Sequence, residues 1–264
     1  MASSTERMIA EKDGGIGWMI FNNPARHNAV SLDMWLAVPE ILADFEADSD
    51  IRVIVLRGAG ERAFISGADI SEFEEKRGTK EAVANYNAAG ERAHVALTGT
   101  SKPTIAMVRG YCIGGGLAVA LDCDLRIASE NSRFAVPAAR LGLGYGYTGI
   151  KRLCDVVGPA FAKEIFYTAR QFSAQEAIQM GLINRGVPAS ALEAYVRDYA
   201  ETIAGNAPLT IAAVKRTVAE VLTDPDKRDL AACQAMVDAC FASEDYVEGR
   251  TAFMEKRRPA FQGR

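Results

Sequence analysis

Short runs of β-branched and other apolar residues alternate, through the first half of the chain, with segments whose apolar positions recur every three or four residues. The runs GWMIFN (17–22), RVIVLRG (52–58), PTIAMVRG (103–110) and DLRIAS (124–129) predict strands. Between them, residues 31–48, 81–98 and 115–121 predict helices. Two of the strands end in Arg-Gly, so strand ends feed loops, where sites tend to lie. From about Gly149 the pattern changes. PAFAKEIFYTAR, SAQEAIQMGL, ASALEAYVRDYAETIAGN, PLTIAAVKRTVAEVL and DLAACQAMVDACFAS predict successive helices with Ser, Pro or Asp near their starts, interrupted only by a short strand at INRGVP (183–188). The fold class is α/β. A soft boundary around 189–200 separates a core of residues 1–195 from a helical region, 196–264.

Composition narrows the function. Of 264 residues, 49% are hydrophobic, enough for a well-buried core, and the net charge of −4 leaves no basic footprint for nucleic acid. Five cysteines (Cys112, Cys123, Cys154, Cys233, Cys240) form no CxxC pair and sit in apolar contexts, as core residues of a reducing compartment do. Only His27 and His94 are available as imidazole ligands, and they lie far apart, so no metal site is expected. The stretch MASSTERMIAEKDGG lacks an apolar signal core. The longest apolar run is broken by Arg109, far short of the ~20 residues that a membrane span requires. These features predict a cytoplasmic protein with neither nucleic-acid nor membrane partners.

The chemistry is concentrated in GYCIGGGLAVALDCDLRIA (110–128), where Gly114, Gly115 and Gly116 open an apolar helix. Backbone amides at a helix N-terminus favour negative charge. A second glycine-containing element, AFISGADI (63–70), follows an earlier strand. Each element alone is more often a mark of close backbone packing than of a binding site.

Taken together and at this spacing, the two resemble the crotonase superfamily, the enoyl-CoA hydratase/isomerase family. The resemblance begins at FNNPARHNAVSLDM, includes FSAQEAIQMGLINRGVP and closes with SEDYVEGRTAFMEKRRPAF. It implies a spiral of ββα turns with a C-terminal helical region, assembled as a homotrimer or a dimer of trimers. It implies an acyl-CoA substrate that carries its own coenzyme A, with no separate cofactor. It places an oxyanion hole at the amides of Ser66 and Gly115, and it lines the acyl-CoA site with Arg26, Ser66, Gly67, Ala68 and Asp69. Phe253 and Lys256 match positions at the CoA adenine end, typically of a neighbouring subunit. Three residues apart on one helical face, a ring and a cation can meet one ligand.

The sequence departs from the hydratase pattern at two positions. The glutamates that activate water and deliver the proton are replaced by Ala118, two positions after the triple glycine, and Ala138, after the proline of FAVPAARLGL. Each positioned acid or base is worth ~10²–10⁴-fold, and a methyl group cannot take a proton. Asp122 lies four residues after Ala118, about 6 Å farther along the helix axis, and is equally placed to pair with Arg126 or cap a strand. Glu72, Glu74 and Glu75 read as a polar loop. In RLGLGYGYTGIKRL (140–153), Arg140, Tyr145 and Tyr147 occupy the active-site loop. This loop and the C-terminus look most like the methylmalonyl-CoA decarboxylase branch, except that the branch has a histidine where this chain has Ala68.

Three functions follow. One is an acyl-CoA carbon–carbon or carbon–oxygen lyase, of decarboxylase type, that uses the hole without glutamates, with Arg140 orienting the departing carboxylate and Tyr145 shaping the site or protonating the enolate. The second is an enoyl-CoA hydratase or isomerase of fatty-acid or amino-acid catabolism. The third is a catalytically silent acyl-CoA-binding trimer.

Overall fold

In the computed structural model, residues 5–69 and 80–264 are described; Glu72, Glu74 and Glu75 lie outside them. Strands β1 (Met8–Asp13), β2 (Ile16–Phe21), β3 (Val53–Gly58), β5 (Thr104–Val108), β7 (Leu125–Ser129) and β10 (Arg185–Val187) form one sheet in the order β1-β2-β3-β5-β7-β10. It is parallel except for the β1–β2 hairpin. A smaller sheet takes β4 (Ala63–Ile65), β6 (Tyr111–Ile113), β8 (Arg133–Ala135) and β9 (Phe172–Ser173) in that order.

Three of the large-sheet strands, β3, β5 and β7, are each followed by a short strand of the small sheet and then a helix. Thus β3, β4 and α2 (Lys80–Gly99) are followed by β5, β6 and α3 (Gly115–Asp122), and then by β7, β8 and α4 (Tyr147–Thr168). This is the expected spiral of ββα turns. Alternation along the buried strands sorts side chains between two cores. Val53, Val55, Ile105, Met107 and Ile127 face one side. Ile54, Leu56, Ala106, Val108 and Ala128 face the other, against α1 (Leu32–Ala47) and the helices that follow the short strands.

The short strands β4, β6, β8 and β9 and the opening β1 were not legible as strands. Runs of two or three residues, as in β4, β6, β8 and β9, carry too few side chains for a period to show, and the six of β1 (MIAEKD) hold a single β-branched residue and no aromatic to mark a strand. The helical region begins with α5 (Ala174–Gln179) and α6 (Leu192–Ala204), and continues through α7 (Pro208–Val221), α8 (Leu230–Ala242) and α9 (Glu244–Glu255). Leu192, Val196 and Ala200 of α6 are buried in the core shared with β2, β3, β5 and β7. The expected division at 195/196 falls inside this helix. Among the described residues, no helix is long and apolar enough to cross a membrane, and no group of His, Cys, Asp and Glu could hold a metal ion.

Candidate active site

Two chain crossings build the anion cradle. The segment between β2 and α1 folds over the end of β4, stitched there by the buried Asn28. Its side chain accepts from Asn23 N–H (3.0 Å) and donates to the carbonyls of Ala59 (3.0 Å) and Ala63 (2.8 Å). Val30 N–H then donates to Gly67 O at 2.8 Å, and Asp69 N–H to Val30 O at 3.1 Å, which makes Ala68 a one-residue parallel bridge with Val30. In such a bridge the N–H of the central residue points to the opposite side. Ala68 N–H finds no acceptor among the described residues.

Gly115 opens α3, so its amide is one of the four that an α-helix leaves without an internal partner. The two amides belong to adjoining backbone. A Cβ built on Gly115 would lie 4.0 Å from Ala68 N and 3.9 Å from Gly67 Cα. Gly67 (φ +112°) and Gly114 (φ +56°) supply the left-handed turns that aim them. At Gly116 the helix presses directly on β4, where a Cβ would come within 2.1 Å of Ile65 O.

The expected donor Ser66 is corrected by this geometry. Its N–H already donates to His27 O at 3.1 Å, and its Oγ donates to Arg26 O at 3.3 Å. The amide facing Gly115 is that of Ala68, two residues on. Arg26 and Asp69 do come together beside it, with Nη1 to Oδ1 at 3.8 Å, Arg26 exposed and Asp69 buried.

One turn along α3, Ala118 lines a small cleft with Leu117, Leu121, Val136, Tyr145, Gly149, Arg152, Leu153 and Phe166. Ala138 is buried just after Pro137, whose ring packs toward Gly114. Tyr145 is half-buried, edge-on to Phe166 at 4.9 Å between ring centroids. Burial, and then the charge of Asp122, push its hydroxyl pKa up, so it stays protonated at neutral pH. No hydrogen bond to that hydroxyl occurs among the described residues. Its ring lies over Gly149, where a Cβ would approach within 2.7 Å. Tyr145→Phe should therefore leave the stability within about 1 kcal/mol of the native value. Gly149→Ala should displace the ring and change acyl affinity; thermal melts with acetyl-CoA titrations check both.

Arg140 does not reach this cleft. It stands exposed in a short 3₁₀ turn, Pro137–Leu141, and Tyr147, which opens α4, is also exposed. The guanidinium lining the cleft is that of Arg152. Its Nη1 is in ion-pair contact with Oδ1 of Asp122, a carboxylate with no exposed side-chain surface, and the other oxygen, Oδ2, meets His94 Nδ1. Asp122 thus pairs with neither Arg126 nor a strand end. Arg126 donates instead to the carbonyls of Leu182 (2.8 Å) and Cys123 (2.7 Å). Sequence reasoning missed Arg152 and His94. Arg152 lies in the segment RLGLGYGYTGIKRL already singled out for its loop, whereas nothing local links His94 to a residue 28 positions away.

Phe253 and Lys256 are exposed, and α9 packs on α8. Lys256 caps α9 in the left-handed conformation (φ 55°), so it leaves the helix and does not share a helical face with Phe253. The cysteines are free, and burial pushes the thiols of Cys112 and Cys123 up, which keeps them unreactive.

The profile of the enoyl-CoA hydratase/isomerase family matches residues 11–264. This chain belongs to that family. A short-chain-enoyl-CoA hydratase of Clostridium acetobutylicum is 35% identical over 251 residues, covering 95% of each chain. A carnitinyl-CoA dehydratase of Proteus mirabilis is 34% identical, covering 95% of this chain and 96% of its own. Among solved structures, an enoyl-CoA hydratase/isomerase family protein of Hyphomonas neptunium, described as putative in its own name, superposes with a TM-score of 0.92 at 34% identity over the whole of both chains. Kinship with the methylmalonyl-CoA decarboxylase branch finds no support here, since these enoyl-CoA hydratase/isomerase relatives are named hydratases and dehydratases.

Proposed function

We propose that this family member is an enoyl-CoA hydratase, or a dehydratase in the reverse direction, which holds the thioester oxygen between the amides of Ala68 and Gly115. The observation that carries this reading is the pair of converging N–H groups with no acceptor of their own. Donors fixed before reaction stabilise the negative charge that develops on a thioester oxygen as its Cα becomes an enolate. The α3 dipole adds to them. Water addition also needs a proton at Cα and a base for the water. With alanine at 118 and 138, the titratable groups at the cleft among the described residues are Tyr145, Arg152 and, behind Arg152, Asp122.

The substrate brings coenzyme A with it. Phe253 and Met254, 82% and 79% exposed, belong to an apolar face that also takes in Val218 and Phe241. Such a face suits a homotrimer or dimer of trimers in which Phe253 and Lys256 serve a neighbour's ligand. The test is hydration of crotonyl-CoA, followed by loss of the enoyl-thioester absorbance, with solvent deuterium exchange at Cα of butyryl-CoA beside it. Exchange with measurable hydration, below the ~1–10³ s⁻¹ of ordinary enzymes, is expected. Carbon dioxide release from methylmalonyl-CoA without hydration would replace this reading by the lyase one. Neither exchange nor turnover would leave a silent binder.

A further inference from the structure

A charged cluster borders the cleft beyond the two amides. Arg152, Asp122 and His94 meet where α2, α3 and α4 converge, with Trp35 of α1 packed on the imidazole at 5.4 Å between ring centroids. Asp122 is wholly buried, yet Arg152 keeps 23% of its side chain exposed and is among the residues that line the cleft. We infer that Arg152, fixed by Asp122 and His94, selects the acyl group, and that the substrates are CoA thioesters whose acyl chain ends in a carboxylate.

Four observations lead there. First, Ala118 lies about 4.5 Å along the helix from Gly115, so an acyl chain whose thioester oxygen sits at the two amides runs over Ala118 toward Arg152. Second, Asp122 engages only one edge of a guanidinium that carries five N–H donors, and it shares its charge with His94, so a fork remains for a second carboxylate. Third, among the described residues the rest of the cleft is apolar apart from Tyr145, and an ion pair strengthens in such surroundings. A methyl-ended chain there would strip water from Arg152 without replacing its acceptor. Fourth, the position from which a family glutamate would neutralise or repel is Ala118, which leaves the fork to the ligand. The inference rests on the thioester placement proposed above and adds the substrate class.

Isosteric pairs test it by calorimetry: malonyl-CoA against isovaleryl-CoA, and succinyl-CoA against 4-methylpentanoyl-CoA, with acetyl-CoA as the reference for the thioester site. The native protein should bind at least one carboxylate member roughly tenfold or more tightly than its isostere, the size of a hydrogen-bonded charge. Arg152→Met should abolish the preference. If that variant fails to fold, Ala118→Glu, which leaves the Asp122–Arg152 pair in place, should also abolish it by supplying the carboxylate internally. Equal affinities within both pairs, or a preference that survives Arg152→Met or Ala118→Glu, would overturn the inference while leaving the thioester site standing. Absence of binding by acetyl-CoA and by both pairs would overturn the thioester site, and this inference with it.

Discussion

Gly116→Ala is expected to reduce Cα deuterium exchange and any hydration by about 10²–10³-fold, the loss typical of one oxyanion donor. The added methyl would lie 2.1 Å from Ile65 O and 2.8 Å from the Ile65 carbonyl carbon. Both are backbone atoms of a strand hydrogen-bonded into the small sheet, so neither can swing aside as the end of a flexible side chain would. The start of α3 must move instead, and the Gly115 amide moves with it, away from that of Ala68. Affinity for free coenzyme A should change far less than affinity for a thioester, because only the thioester offers an oxygen to the pair. Gly99→Ala is the control: a Cβ there meets nothing within 4 Å. Unchanged exchange in a folded Gly116→Ala protein would mean that the two amides do not act on the reacting oxygen.

Asp122→Ala should be the most destabilising single change at the site. The carboxylate is fully buried between Arg152 and His94. Deleting it strands a guanidinium partly out of water, and breaking a buried pair on one side costs about 3–5 kcal/mol. For a chain of this size that is a fall of about 10 °C in melting temperature. Asp122→Leu combined with Arg152→Met should recover much of the loss, since removing both charges leaves nothing unpaired. A double variant no more stable than Asp122→Ala would show that packing, not charge, dominates there.

The chain's own alternation and turns were enough for a good part of this protein. Buried strands such as Val53–Gly58 and Thr104–Val108 are continuous apolar runs, which parallel strands covered on both faces require. The triple glycine at the start of α3 and the GAD turn after β4 marked the cradle, because close backbone approach and left-handed turns leave few residues other than glycine. Ala118 and Ala138 were visible as the absence of two carboxylates from the sequence alone.

What local pattern left undecided was which polar groups are already taken. Whether Ser66 or Ala68 offers its amide depends on His27 O, which claims Ser66 from a segment 39 residues upstream. Whether Arg140 or Arg152 serves the cleft depends on how the chain turns into α4, which leaves the first in solvent and brings the second onto Asp122. Asp122 had Arg126 four residues away, but the nearer guanidinium is held by the carbonyls of Leu182 and Cys123, so the carboxylate takes its partners from α2 and α4. Each hydrogen-bonding group can be satisfied by any complementary group that folding brings within reach. Periodicity and spacing therefore determine where the backbone goes, while only the tertiary structure decides which donors and acceptors remain open to a substrate.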